Sequence, residues 1–468
     1  MPAQAGQAVY PALQLKAMHK KNLIPLVAFC LLQSLSHAQV PAKRPNVIII
    51  YSDDQGAADL NIYGSKDLMT PHLDKLARNG VRFSHFYSAS PICSPSRASL
   101  LTGRYPQRAG LPNMASSKEG DAGMPGDQLT IAELFASAGY KTAHIGKWHV
   151  GYTPETMPNA QGFGYSFGFM GGCIDNYSHY FYWNGPNRHD LWRNGKEIWE
   201  PGKFFGDLMV EETNAFLAEN KNDPFFLYFA INIPHYPLQG EKKWLDYYKD
   251  LPSPRKMYAA FISTMDEKIG LILNKLDELG LTDNTIVVFQ SDQGFSTEER
   301  TFGGGGSAGK LRGSKFSLFE GGVRVPAIIS WPGHIPKDQV RDQFGANIDW
   351  FPTLAAYCNI PLPNRKFDGR SLKPVIESAA ATSPHNEFYW QTPGAKTNPQ
   401  WAVREGDWKL LHSPFEADKT ELTADGLMLV NMAADSTEHS NEAVKHPDIV
   451  KRLQSKYQAW IKEVADQQ

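Results

Sequence analysis

Cysteine is scarce in this chain: four among 468 residues, at positions 30, 93, 173 and 358. That excludes a small scaffold stapled by disulfides, which needs a dense and even set. Charge of one sign is missing too. Lys and Arg total 47 against 49 Asp and Glu, for a formal net charge of -2, so nothing general draws the chain to nucleic acid or to an acidic membrane, and any charge-based function must be local. Long apolar runs are also absent. The best one, Leu23 to Leu32, is too short and wrongly flanked for a membrane span. It follows His19, Lys20 and Lys21 and precedes Ser36 and Ala38, the pattern of a cleaved signal peptide. Residues 1–38 therefore read as leader and signal, with Met1 and Met18 both start candidates. The mature protein is expected to be periplasmic or secreted, with no membrane attachment after cleavage. Losing Cys30 leaves an odd number of cysteines, so at least one thiol stays unpaired.

What is present is an alternation of apolar, β-branched runs with helical stretches. The runs "NVIIIYSDD", "KTAHIGKWHVG", "PFFLYFAINIPH", "NTIVVFQSDQG" and "VPAIISWPG" have strand length, while "LTIAELFASAGY" and "YAAFISTMDEKIGLILNKLDELG" have helical periodicity. This predicts an α/β fold, a large and mostly parallel sheet sandwiched by helices. Beyond about Leu372 shorter strand-like pieces, "EFYWQT", "WAVREGDWKLL" and "LMLVNM", lead to a terminal helix from about Pro447 to Val464. The expected division is a catalytic domain over 45–371 and a smaller antiparallel sheet with a helix over 372–468.

Polar residues collect at one place in this scheme. Asp53 and Asp54, Lys147 and His149, His235, and Asp292 with Gln293 each fall at or just after the end of a strand-like run. Open α/β sheets bind ligands outside the carboxyl ends of their strands. A single Asp there is most often a turn or a cap, but four runs delivering acid, base and ligand types to one edge point to a site. Cys93 lies in "SASPICSPSRASLLTGRYP" among serines and prolines, an unusual setting for an inert buried thiol. Pro95 suits a first helical turn, which puts Cys93 at a helix N-terminus with Arg97 one turn on. That environment suits a nucleophile accepting negative charge, or a thiol of lowered pKa.

The string from Cys93 to Gly103 fits C-x-P-S-R-x-x-x-L-T-G at every specified position, and here the chain resembles the type I, formylglycine-dependent sulfatases. "SDDQG", "GKWHVG", "INIPH", "SDQG" and "LRGSKFSLFEGGVRVP" follow the family's order over roughly residues 45 to 465. The resemblance implies an alkaline-phosphatase-like fold, and conversion of Cys93 to 3-oxoalanine (formylglycine) by a maturation enzyme that reads its Pro and Arg neighbours. It implies one Ca²⁺, with Mg²⁺ as the substitute, held by Asp53, Asp54, Asp292, Gln293 and the modified Cys93. Gln293 departs from the family, where Asn or His is commoner. Lys147, His149, His235 and Lys315 would grip sulfate and the leaving oxygen, and Arg97, a fixed positive charge beside the nucleophile, would complete the catalytic set. Asp292 would accept the nucleophile's proton, His235 with Lys315 would protonate the leaving group, and His149 would restore the aldehyde.

The substrate is a sulfated glycan by this reading, with a galactose-type polysaccharide or oligosaccharide preferred. The segment from Phe169 to Gly195 packs Tyr177, Tyr180, Phe181, Tyr182, Trp183 and Trp192 beside Asp175, Asn176, His179, Arg188 and His189. Aromatic faces suit sugar rings and an Arg suits a second sulfate or a uronate; Trp390 and Trp401 could close the same pocket. An aromatic hairpin packed on the core is the competing reading. Two other functions compete: a phosphonate or phosphodiester hydrolase of the same superfamily, and a sulfoglycan-binding protein with a degenerate site. Gly304 to Lys310 also mimics a phosphate-binding loop, but Leu311 stands where Ser or Thr should ligate magnesium. That stretch is read as a flexible loop over the site edge.

Overall fold

The computed structural model describes residues 1–2, 43–182, 187–395 and 398–465. The stretch expected to be a signal segment, Cys30 and Trp183 lie outside them. Residues 44–468 form one compact unit, and no helix in the described residues is long and apolar enough to cross a membrane.

The scaffold consists of β1 (Asn46–Ser52), α1 (Cys93–Thr102), β2 (Lys141–Lys147), β3 (Phe225–Ala230), β4 (Thr285–Ser291) and β5 (Ala327–Ser330). In the sheet the order is β5, β4, β1, β3, β2, and further short strands extend it to ten. The first four strands run parallel, with Ile48 opposite both Leu227 and Val287, whereas β5 is antiparallel to β4. β1 is buried along its whole length, as a sheet covered on both faces requires. Val47, Ile49 and Tyr51 pack with α1 and with helices Ile131–Ser137 and Trp350–Tyr357. Ile48 and Ile50 face the other way, onto helices Pro71–Arg78, Phe205–Glu219 and Arg255–Glu278. The α/β, mostly parallel architecture expected from the sequence is the one found.

The smaller antiparallel sheet is present too. Glu387–Ala395, Asn398–Glu405, Trp408–His412 and Leu427–Asn431 pair in that order, and helix Pro447–Ala465 packs against them, Tyr457 stacking on Trp401 at 4.2 Å. This sheet holds the chain around Lys315. Arg312 donates to the Glu438 carbonyl (2.8 Å), Ser314 to Glu416 (2.6 Å), Ser317 to the Phe415 carbonyl (2.9 Å) and Gln400 to the Phe316 carbonyl (3.2 Å). At its centre Lys409, fully buried, bridges Glu320 (2.9 Å) and Glu438 (2.8 Å).

The glycine-rich stretch is pinned, contrary to the flexible loop expected. Ala58 N–H donates to Ser307 O, Arg255 donates to Gly305 O, and a Cβ on Gly305 would lie 2.6 Å from that of Tyr258. Its glycines allow close backbone approach to helix Arg255–Glu278 instead of cradling a phosphate.

Lys409→Met removes the shared cation from two buried carboxylates. A loss of about 3–5 kcal/mol is expected, measured by urea unfolding; a loss within error of zero would mean that the clamp contributes nothing.

Candidate active site

α1 explains the local sequence. Ile92 is extended, Cys93 is the first helical residue, and all ten residues are buried. Gly103 ends the helix at φ 65°, the left-handed turn that glycine takes at least cost. Arg97, one turn along, points under Cys93: Nη2 donates to Asp292 Oδ2 at 2.9 Å and lies 3.3 Å from Asp53 Oδ1, while Nη1 donates to the Lys147 carbonyl. The carboxyl ends of β1, β2 and β4 and the segment after β3 converge on the same spot. Cys93 Sγ is 3.7 Å from Asp53 Oδ1, 4.0 Å from Asp54 Oδ1 and 3.5 Å from Gln293 Nε2. Lys147 Nζ meets both oxygens of Asp53 (2.7 and 3.0 Å), Lys315 Nζ meets Asp54 Oδ2 (2.8 Å), and His235 Nε2 is 3.7 Å from that same oxygen.

The electrostatics follow from burial. Desolvation would raise the Asp53 carboxyl, but Lys147, His235 and Arg97 outweigh it and hold Asp53 well below the usual carboxylate range. Asp54 is pushed up to about 6, by burial first and then by the Asp53 charge, against Lys315. Asp292 is pushed up to about 8 by burial and Asp53, against Arg97. Burial also raises the Cys93 thiol to about 12, with Asp292 and Asp53 adding to the rise against Lys147 and Lys315. The lowered thiol pKa expected from the helix N-terminus is therefore not found, and the unmodified thiol is a weak nucleophile here.

The donor set fits a hard divalent cation. Ligand atoms of Asp53, Asp54, Cys93 and His235 lie within 4.8 Å of one another, and the buried Gln293 Oε1 has no partner while its Nε2 faces Asp54 and Cys93. Turning that amide over would aim Oε1 at the Asp54 carboxylate, which is favourable only with a cation between them. Asp53, Asp54 and Asp292 balance Arg97, Lys147 and Lys315, so a divalent ion leaves a net positive site suited to an anionic ester.

Above this floor opens a cavity of about 480 Å³ lined by Cys93, His149, His235 and Lys315. His149 adopts φ 55°; its Nε2 donates to Ala115 O (3.2 Å), which leaves the buried Nδ1 with its lone pair and no partner. His235 Nδ1 donates to Tyr236 O (2.9 Å), so Nε2 faces the site. Burial, then neighbouring positive charge, keeps His149 well below its ordinary value, and burial does the same to His235 even against the Asp53 charge. Arg97 and Lys147 are fully buried and pair with Asp53 and Asp292; neither is in the cavity lining, where Lys147 was expected to grip sulfate.

Of the expected substrate-binding residues, Arg188 lines the cavity. Asp175 is tied up capping the turn at Tyr177 and Ser178 and accepting from Gln239. Asn176 bonds Gln239 and Asn232, and His179 Nε2 the Lys203 carbonyl. His189 pairs with Glu197 and stacks on Trp199 at 3.8 Å. Trp390 is buried against Phe388 and donates to Ser88 O. None of these five is in the lining; each has a polar group committed to holding its own surroundings, and His179 keeps only a buried Nδ1 without a partner. The lining adds Lys118, Tyr236, Glu298 and Arg300, which the sequence reading missed. Tyr236 follows His235 directly and was legible as its neighbour; Lys118 carries no local signal. Cys173 and Cys358 are buried and free.

A sulfatase family model matches residues 45–360, and one described as N-sulphoglucosamine sulphohydrolase, C-terminal, matches 314–463. The chain belongs to the sulfatase family. Among its relatives is arylsulfatase A of Homo sapiens, 32% identical over 424 residues, covering 84% of this chain and 80% of that protein. N-acetylgalactosamine-6-sulfatase of Homo sapiens is 36% identical over 354 residues, with 71% and 66% covered. The crystal structure of Ps i-CgsB in complex with k-i-k-neocarrahexaose superposes with a TM-score of 0.80 at 29% identity, covering 91% of this chain and 94% of that one. This sulfatase is thus a hydrolase of sulfate esters, with the alkaline-phosphatase-like fold.

Asp54 and Asp292 hold protons more tightly folded than unfolded. In the ion-free protein their contribution to stability is full below about pH 4 and is lost as pH rises through about 6 and about 8. A divalent cation displaces those protons, so its affinity should rise across this window and its binding should release protons. Calorimetric titration in buffers of different ionisation enthalpy reads this directly; no proton release near pH 7 would count against the cluster as the cation site.

Proposed function

We propose that this sulfatase removes O-sulfate groups from a sulfated carbohydrate of galactose type, outside the cytoplasm, using a formylglycine made from Cys93 and a bound Ca²⁺. The observation that carries the reading is the position of Cys93: at the head of a buried helix, on the floor of the cavity, between the carboxylate cluster and the ring of His149, His235 and Lys315. The names of relatives support the substrate class, one being a sulfatase of N-acetylgalactosamine 6-sulfate and another a structure holding a neocarrahexaose.

Asp53, Asp54, Asp292 and Gln293 would hold the ion, which supplies polarisation of the sulfate; the formylglycine supplies, as its hydrate, the attacking oxygen. The chain's own groups do the rest. Arg97 and Lys147 neutralise Asp292 and Asp53 from below and fix their orientation. Asp292, whose proton the bound ion displaces, takes the nucleophile's proton. Lys315, held protonated by Asp54 in spite of its burial, donates to the sulfate and the bridging oxygen, where negative charge develops. His235, neutral in the empty cavity, takes up a proton when the anionic ester binds and delivers it from Nε2 to the leaving alcohol. His149 accepts the proton of the second hydroxyl at its unpartnered Nδ1, which restores the aldehyde and releases sulfate.

Cys93→Ala should abolish turnover and leave the unfolding midpoint close to wild type. Mass spectrometry of the peptide carrying residue 93 from active protein should find the aldehyde, and an intact thiol throughout active protein would exclude this nucleophile. His235→Ala should slow sugar sulfates about 10²- to 10⁴-fold and nitrophenyl sulfates much less, because a good leaving group needs no proton. Equal loss on both would remove His235 from that role.

A further inference from the structure

The Arg188 side chain has no hydrogen-bond partner among the described residues. Its Nε and Nη2 are withdrawn from water and unpaired, with the guanidinium carbon 4.4 Å from the centre of the Phe181 ring and 5.6 Å from that of Tyr152. The ring faces answer part of its charge but accept neither N–H. Those two nitrogens form the edge that grips a sulfate or carboxylate through two parallel bonds. Leaving such an edge empty in a dry setting is costly. The nearest acid in sequence cannot fill it, because Asp190 already accepts from Tyr152, Trp192 and the Met170 and Gly171 amides.

Arg188 lines the same cavity as Cys93. Asp190 fixes the Gly171 amide, and Gly172 closes onto His149, where a Cβ would stand 2.9 Å from Cε1. A sugar whose sulfate sits over Cys93 therefore has Arg188 among the residues around it. The other Arg of the lining differs: Arg300 pairs with Glu298 at 2.7 Å and lies 4.2 Å over the Tyr236 ring.

We propose that Arg188 receives a second anionic group of the substrate, sulfate or carboxylate, so that this sulfatase prefers doubly anionic sugar units to singly sulfated ones. This rests on the sulfated-carbohydrate reading above. The test compares matured wild type with Arg188→Met and Arg188→Lys on three probes: N-acetylgalactosamine 6-sulfate, its 4,6-disulfate, and the 6-sulfate linked to a uronate. Wild type should favour at least one doubly anionic probe by about 10- to 100-fold in kcat/KM. Arg188→Met should bring that ratio near one, and Arg188→Lys should keep part of it. Preference for the disulfate alone identifies sulfate as the second group, and preference for the uronate alone identifies carboxylate. No preference in wild type, or equal loss on all three probes, overturns the proposal. Failure to release sulfate from these sugars or from a nitrophenyl sulfate would instead defeat the functional reading. In that event Kd values for the same probes on Cys93→Ala, with and without Arg188→Met, decide the point without turnover: an Arg188-dependent gap upholds the subsite and none overturns it.

Discussion

Three carboxylates, those of Asp53, Asp54 and Asp292, are held out of water within reach of one another, and most of the surrounding structure exists to make that tolerable. Burying charge without partners costs several kcal/mol per ion. Arg97 and Lys147 answer it from below and Lys315 from the rim. The cations come from α1, from the end of β2 and from the segment after β4, so meeting the electrostatic demand also locks three separate parts of the chain together. The cluster is chemically useful because the compensation is incomplete: Asp54 and Asp292 still hold protons too tightly, which leaves room for a divalent cation.

The smaller sheet follows from the same demand. Lys315 answers Asp54 only if its loop is fixed, and that loop receives its fixing contacts from Glu416, Phe415, Gln400 and the Lys409 clamp. The C-terminal region thereby fixes the position of a lysine that faces the cavity.

Strands and helices were legible because apolar patterning is a local property: β1 and β4 each carry a continuous apolar run, and both faces are buried. The chemical residues were legible for a related reason. Parallel strands deliver their carboxyl ends to one edge, so Asp53, Lys147, His235 and Asp292 could be placed together before any packing was known. The specificity residues were not. In Phe169 to Gly195 the same polar types serve as turn caps, loop ties and lining, and Asp175 and Arg188 differ only in what happens to stand opposite them.

The sequence by itself determined the fold class, the place of Cys93 at a helix N-terminus and the residues that gather around it, since motif order and strand ends do not depend on distant contacts. Tertiary structure alone decided the rest. Lys147 and Arg97 became buried partners of the carboxylates, the Cys93 thiol was raised where a helix N-terminus suggested lowering, and Arg188 alone of its segment's polar candidates came to line the cavity. Each outcome depends on desolvation and on partners more than 30 positions away or across the sheet, and those are fixed only when the chain has closed around its carboxylates.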